Sequence, residues 1–283
     1  WRITAVEGAS TTARPQFPSS GRKLLKSLEA ENGWVRDTAQ RLLLRKTGRG
    51  IDRGLSRLVT QDDEHAAVHA IWTLDGRGTL NRSTLLKALA KDSTSIQLAA
   101  IKAGHELLSA EELLKMATQS GDSSMVHHTT MYLAASNHRD DVIEYLASSL
   151  VKNDTDGMRR MAIQAASGGN ELALIDAILE KGWGKAEEQS AGFVRDLISQ
   201  SFRAEQKEGD VLLDHVMQQD QHWIQEAMLN GLFEVTRDES FSRVVLAEPH
   251  SLFTDPPEGL WPAISKVRGA FTWKGDDLAA GAK

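Results

Sequence analysis

Apolar and polar positions along this chain alternate with a helical rhythm. In residues 32–43, Val35, Ala39, Leu42 and Leu43 fall at i, i+4, i+7 and i+8, the single apolar stripe of an amphipathic α-helix. Arg36, Asp37, Gln40 and Arg41 cover its other side. An isolated helix of this length is marginal in water, so the stripe needs partners elsewhere in the chain. They follow from Gly21 onward. Leu24, Leu25 and Leu28 predict a short first helix, with 33–46 as its partner. Leu55, Leu58 and Val59 open a second pair, closed by 64–74 with Ala67, Val68, Ile71, Trp72 and Leu74 inward. Leu85, Leu86 and Leu89 precede Ile96, Ala99, Ala100 and Ala103; Leu113, Leu114 and Ala117 precede Val126, Thr130, Leu133 and Ala134. Val142, Ile143, Leu146 and Leu150 then pair with Met158, Ala162 and Ala165, and Leu174, Ile175 and Ile178 with Phe193, Val194, Leu197 and Ile198. The last clear pair sets Val211, Leu212 and Val216 against Ile224, Ala227, Met228 and Leu232.

Punctuation supports this division. Ser109 with Glu112 reads as a capping box. Asp62, Asp92 and Asp154 stand before second helices, where an acid at the cap or first turn is favoured. Gly48, Gly76, Gly121 and Gly182 sit where helices should stop. Second helices recur about every 30 residues, a period that marks a helical-repeat solenoid. The unit lacks the tetratricopeptide Trp-Leu-Gly-Tyr pattern and carries a Val-Arg-x-x-Ala-x-x-Leu theme instead, at Val35-Arg36-x-x-Ala39-x-x-Leu42 and, varied, at Met158-Arg159-x-x-Ala162-x-x-Ala165. A small central Ala lets neighbouring helices approach closely. The expected fold is therefore all-α: an α-α superhelix, a HEAT-like solenoid of about seven short helical pairs.

The two ends depart from this rhythm. Residues 1–6, with β-branched character, predict a strand, and 8–21, with Pro15 and Pro18, a linker. We read 1–20 as the residual strand and linker of a preceding β domain, and the Trp1 start as that of a piece of something longer. Residues 21–247 are the repeats. Beyond about Val245, Pro249, Pro256, Pro257 and Pro262 break the pattern, and Phe253, Trp261, Phe271 and Trp273 offer docking surface. Hence 248–283 is expected to be a partly packed exit segment toward a following domain.

Composition changes this picture mainly by exclusion. The net charge of -6 argues against broad nucleic-acid binding, which needs clustered Lys and Arg. Aromatics at 6% would furnish an all-β fold poorly. The absence of cysteine removes disulfides, thiolate metal sites and covalent haem attachment from this chain. No apolar run approaches the roughly 20 residues of a membrane span.

Three stretches resemble a known family. NGWVRDTAQRLL at 32–43 is close to the motif opening the helical-repeat region of large secreted proteins from planctomycetes, verrucomicrobia and relatives. AVHAIWTLDGRG at 67–78 is similar to that family's His-Ala-Leu-Trp-Thr-Leu-Asp-Gly element. Trp1-Arg2-Ile3-Thr4 resembles the end of the sorbosone-dehydrogenase-type β-propeller preceding the repeats, and Phe271-x-Trp273 the approach to the c-type cytochrome domain that follows them. Ile71 stands in place of Leu, Arg77 in place of an apolar residue and Gln97 in place of the usual Arg of the third unit. The resemblance implies the HEAT-repeat middle of a membrane-bound dehydrogenase with a haem-binding domain, periplasmic or secreted. Its propeller and haem c would lie outside these residues, leaving no cofactor in this segment.

The chemistry-bearing residues read as structural. His65 and His69, at i and i+4, have metal-chelating spacing but no HExxH glutamate or evident third ligand, so a repeat interface is favoured, with an imidazole N–H bonded across it. His127 and His128 diverge by about 100° on a helix and suit one metal poorly. Trp34 and Trp72 are expected to fill the gap between adjacent repeats. Arg36 with Asp37, and Trp72 with Asp75, are expected as structural pairs, an Arg-to-Asp bond locking successive repeats, with Arg41 completing the motif. Gly76-Arg77-Gly78 is a turn: it lacks the Gly-Lys-Ser/Thr and preceding strand of a phosphate loop. The acidic doublets Glu111-Glu112, Asp140-Asp141 and Glu187-Glu188 do not converge, and no Gly-x-Ser-x-Gly elbow occurs. The expectation is a non-catalytic scaffold or spacer with no catalytic, cofactor or metal residues. Its partners would be the flanking propeller and cytochrome domains, with no nucleic acid and no membrane span. The alternatives are a free-standing HEAT scaffold and, less favoured, a HEAT-fold DNA glycosylase, which needs a basic concave groove.

Overall fold

A computed structural model describes residues 17–136, 138–152, 156–184, 188–204 and 209–275. The strand expected at 1–6, most of the linker, Asp154 and Glu187 lie outside the described residues. The fold is the expected all-α helical repeat. Among the described residues, seven successive helix pairs are present, followed by two further helices and one two-residue parallel strand pair. The chain divides into two compact units, Trp1–Ser109 and Ala110–Lys283.

The first unit holds three pairs: α1 (Gly21–Ser27) with α2 (Gly33–Leu44), α3 (Arg49–Leu58) with α4 (Glu64–Gly76), and α5 (Arg82–Leu89) with α6 (Thr94–Gly104). The second helices stack in sequence, α2 on α4 and α4 on α6, while α1 packs against α3. Ala39, Leu43, Ala66, Ala67, Ala70, Ile71 and Ala100 are buried at these contacts, within one continuous core that also takes Leu24, Leu28, Leu55 and Leu85. Each fully buried leucine or isoleucine contributes about 1.5–3 kcal/mol relative to exposure.

Side-chain caps set where second helices begin. Asn32, Asp63, Ser93, Asp122 and Asp156 each accept a hydrogen bond from the amide of the second or third residue of the helix that follows. Such a cap is worth about 1 kcal/mol. The caps before α4 and α6 are thus Asp63 and Ser93, one residue beyond the expected Asp62 and Asp92. In an Asp-Asp or Asp-Ser doublet only the residue adjacent to the first helical amide can reach it. Of the glycines expected to end helices, Gly182 does so, at φ 71°. Its amide donates to Leu179 and the next amide to Ile178. Gly76 instead remains helical, and Gly78 (φ 64°) supplies the left-handed turn, with Gly78 N–H on Asp75 O and Thr79 N–H on Leu74 O. Gly48 is the cap of α3 rather than the end of α2.

The second unit holds α7 (Ala110–Gln119) with α8 (Ser123–Tyr132), α9 (Asp140–Lys152) with α10 (Gly157–Ala166), α11 (Glu171–Glu180) with α12 (Glu188–Ala204), and α13 (Gly209–Gln218) with α14 (His222–Thr236). Helices α8 and α10 stack, as do α7, α9 and α11 along the other side. The α12–α14 contact is the most intimate. A Cβ added to Gly231 would lie 2.5 Å from the Arg195 carbonyl oxygen, and Ser199 Oγ donates to Gly231 O at 2.9 Å. The inward face of α10 is Ala162, Ile163 and Ala166, while Met158 and Ala165 are exposed. The cap at Asp156 sets this register, shifting the expected theme by one residue. Val211 is likewise exposed and Leu213 buried.

The segment after Val245 packs onto the last helix pair. Val244–Val245 (β1) pairs in parallel with Phe271–Thr272 (β2), a strand pairing the sequence did not predict. Between them lie α15 (Ser251–Thr254) and α16 (Trp261–Val267), α16 packing on α14. Pro262 starts α16 instead of breaking it, since a proline in the first turn loses no intrahelical bond. Phe202, Phe253, Phe271 and Trp273 stack at 5.5–6.0 Å centroid spacing, and Arg268 lies 4.0 Å from the Trp273 ring. Trp261, expected to dock, is 53% exposed.

Candidate functional site

The residues singled out from the sequence meet, in part, along the seam between α2 and α4. His69 projects from α4 between two residues of α2. Its Nδ1 lies 2.7 Å from Gln40 Oε1, and its Nε2 lies 3.9 Å from Asp37 Oδ1. An amide oxygen only accepts, so Nδ1 carries the proton and Nε2 faces the carboxylate. Burial holds the His69 pKa below its ordinary value. Asp37 opposes that shift, and Arg36 and His65 add to it. The interface role expected for His69 is thus occupied, with an amide as partner.

The other expected pairs are rearranged. Arg36 does not reach Asp37. Its Nη1 donates to the carbonyls of Ala30 and Glu31 at 2.7 and 2.8 Å, closing the connection that leads into α2. A guanidinium so close to open carbonyls saves them from going unsatisfied, which outweighs a pairing with the solvated Asp37. Gln97 does the same for α6, donating from Nε2 to Leu89 O and Lys91 O. Gln225 repeats the contact before α14, on Val216 O. Trp34 is 55% exposed and meets Phe17 edge-on at 5.4 Å. It fills no gap between repeats, because no second helix precedes α2 among the described residues. Trp72 is half-buried against the core, as expected of it, whereas Asp75 and Arg41 are exposed.

The bond that locks successive pairs falls on Arg77. Its Nε donates to Asp52 Oδ1 at 2.7 Å, and its Nη1 to Leu43 O at 2.8 Å and to Lys46 O. One side chain thereby ties the start of α3 and the exit of α2 to the turn that ends α4. Sequence reading placed an Arg–Asp lock at the wrong pair. The recoverable signal was spacing: Gln40–His69, Asp62–Lys91, Glu64–Ser93 and Glu171–Gln200 all bond at a separation of 29 residues, one repeat.

Elsewhere the titratable groups are used similarly. His127 Nδ1 lies 3.1 Å from Met158 O across the α8–α10 seam, and its ring meets His128 edge-on at 5.2 Å. His128 stacks on Tyr132, whose phenol pKa is raised by burial. His215 Nε2 stands 3.0 Å from Asp176, and His250 Nε2 3.0 Å from Asp214. His250 Nδ1 also accepts the Leu252 amide, so its proton sits on Nε2. Among the described residues no three His, Asp or Glu side chains gather as a metal site would require, and no helix is long and apolar enough to cross a membrane. The polar side chains named on these seams hold one helix pair to the next. No family model matches this chain, and no curated protein matches it.

Proposed function

We propose that this chain is a non-catalytic HEAT-like repeat scaffold, a spacer and docking segment within a larger secreted or periplasmic electron-transfer protein of the dehydrogenase–cytochrome c kind. The observation that carries the reading is the commitment of imidazoles, guanidiniums and amides to bonds between successive helix pairs, above all at the 29-residue separation. Stacked pairs of this sort present long, continuous surfaces suited to protein contacts. The motifs at 32–43 and 67–78 supply the likeness to the parent; with no cysteine in this chain, a covalently held haem c of such a parent would have to be attached elsewhere in it. In such a parent the segment sets the distance between a substrate-oxidising propeller and the haem that accepts its electrons. The test is to express the domains that flank this segment in its parent polypeptide and titrate each against it by calorimetry. Electron transfer is then measured in the parent with and without the segment. Binding of at least one neighbour and slowed transfer on deletion are expected. If neither neighbour binds and transfer is unchanged, the spacer role is wrong.

A further inference from the structure

The first three helices and their connections carry a charge opposite to that of the chain. Residues 21–59 hold ten Lys and Arg against four Asp and Glu, a net +6 within a total of -6, so the remainder stands at -12. Arg22, Lys26, Lys46, Arg53 and Arg57 line a groove of about 810 Å³ between α1 and α3, with Glu29 the only acid on its wall. None of the five makes an ion pair among the described residues. Asp52, on α3, is already taken by Arg77. Gly54 lets the Leu25 side chain of α1 close onto α3, which gives the groove a floor of glycine and aliphatic carbon.

We propose that this groove is a docking site for an acidic polypeptide segment, one carrying Asp and Glu among aliphatic residues. The proposal rests on the scaffold reading and names the surface and the chemistry of one partner. Two observations favour peptide over nucleic acid. The groove wall has no aromatic residue, whereas single-stranded nucleic acid is held largely by base stacking on aromatic rings. The 10-residue α3 gives the groove a length of about 15 Å, which suits four or five extended residues and few phosphates.

The experiment uses the full chain and a fluorescein-labelled 12-residue peptide of alternating Asp, Glu and Leu, with a 12-nucleotide oligothymidylate as the competing probe. Fluorescence anisotropy is read at low and at raised salt. Saturable binding of the peptide is expected, weakened at least tenfold by raised salt and at least tenfold by Arg53→Glu with Arg57→Glu. Lys87→Glu with Lys102→Glu makes the same charge change outside the groove and should alter affinity less than twofold. Should the charge-reversed pair lose its helical circular dichroism, Arg53→Gln with Arg57→Gln replaces it. Equal or tighter binding of the oligothymidylate overturns the assignment in favour of nucleic acid. Absence of saturable peptide binding, or equal loss in the control pair, overturns it outright. If the peptide fails while a flanking domain still binds, the groove assignment alone is lost; if both fail, the scaffold reading falls with it.

Discussion

Arg77→Ala removes a side chain that joins α2, α3 and α4, and its cost follows from the geometry. The guanidinium is 9% exposed and Asp52 27% exposed. Three charge-assisted bonds are lost, each worth about 1.5–3 kcal/mol net and not additive. Removing one member of a buried ion pair typically costs about 3–5 kcal/mol, because the other charge is left uncompensated. Asp52 is partly wetted and keeps the Thr79 hydroxyl at 3.2 Å, so it recovers some hydration. The loss therefore belongs near the bottom of that range, about 3 kcal/mol. At tenfold per 1.4 kcal/mol this is an acceleration of roughly a hundredfold in amide exchange. Native-state hydrogen exchange read by mass spectrometry is the suitable assay, since a chain of two compact units need not unfold in one step. Peptides from α2, α3 and α4 should lose protection, with those from α12 and α14 as internal reference. Asp52→Asn and the double variant complete the cycle. A coupling below about 0.5 kcal/mol, the level at which independent sites add, would refute the lock.

Further consequences can be measured on the same chain. Gly231→Ala should destabilise α12 and α14 by about 1–3 kcal/mol through overpacking, seen as faster exchange in those helices; an unchanged rate would mean that they are not in close contact. Asp63→Ala should cost about 1 kcal/mol and fray the first turn of α4, while Asp62→Ala should cost little; the reverse order would return the cap to Asp62. The folded state depresses the His69 pKa, so on acidification the unfolded chain binds that proton first. Stability of the first unit should then fall as pH drops through the ordinary histidine range and level off below the folded pKa. Urea titrations at pH 7.5 and 5.5 should show this drop in the wild type and a smaller one in His69→Gln; equal drops would assign the dependence to other groups.

The helices and their pairing were legible because burial needs only a face. The 3.6-residue repeat of Leu, Ile, Val and Ala predicts which side of α2, α4 or α12 turns inward, whatever it meets there. All seven pairs follow from that rule, as does the buried place of Ala39, Leu43, Ile71 and Leu74. The error of one position at Asp62 arose where a doublet offered two equivalent starts and only the backbone geometry chose between them. The polar partners were not legible, because a hydrogen bond depends on where two chain segments come to rest. Arg36 has Asp37 beside it in sequence, yet bonds two carbonyls in the preceding connection; Arg77 looks like a turn residue, yet it joins three helices. The same holds for β1 and β2, two residues each, whose pairing exists only because α15 and α16 bring them together. Periodicity along the chain thus determined the elements and their inward faces. Which polar groups meet across the seams, and where the unpaired cations gather, was decided by the stacking alone, since those contacts join residues about one repeat apart.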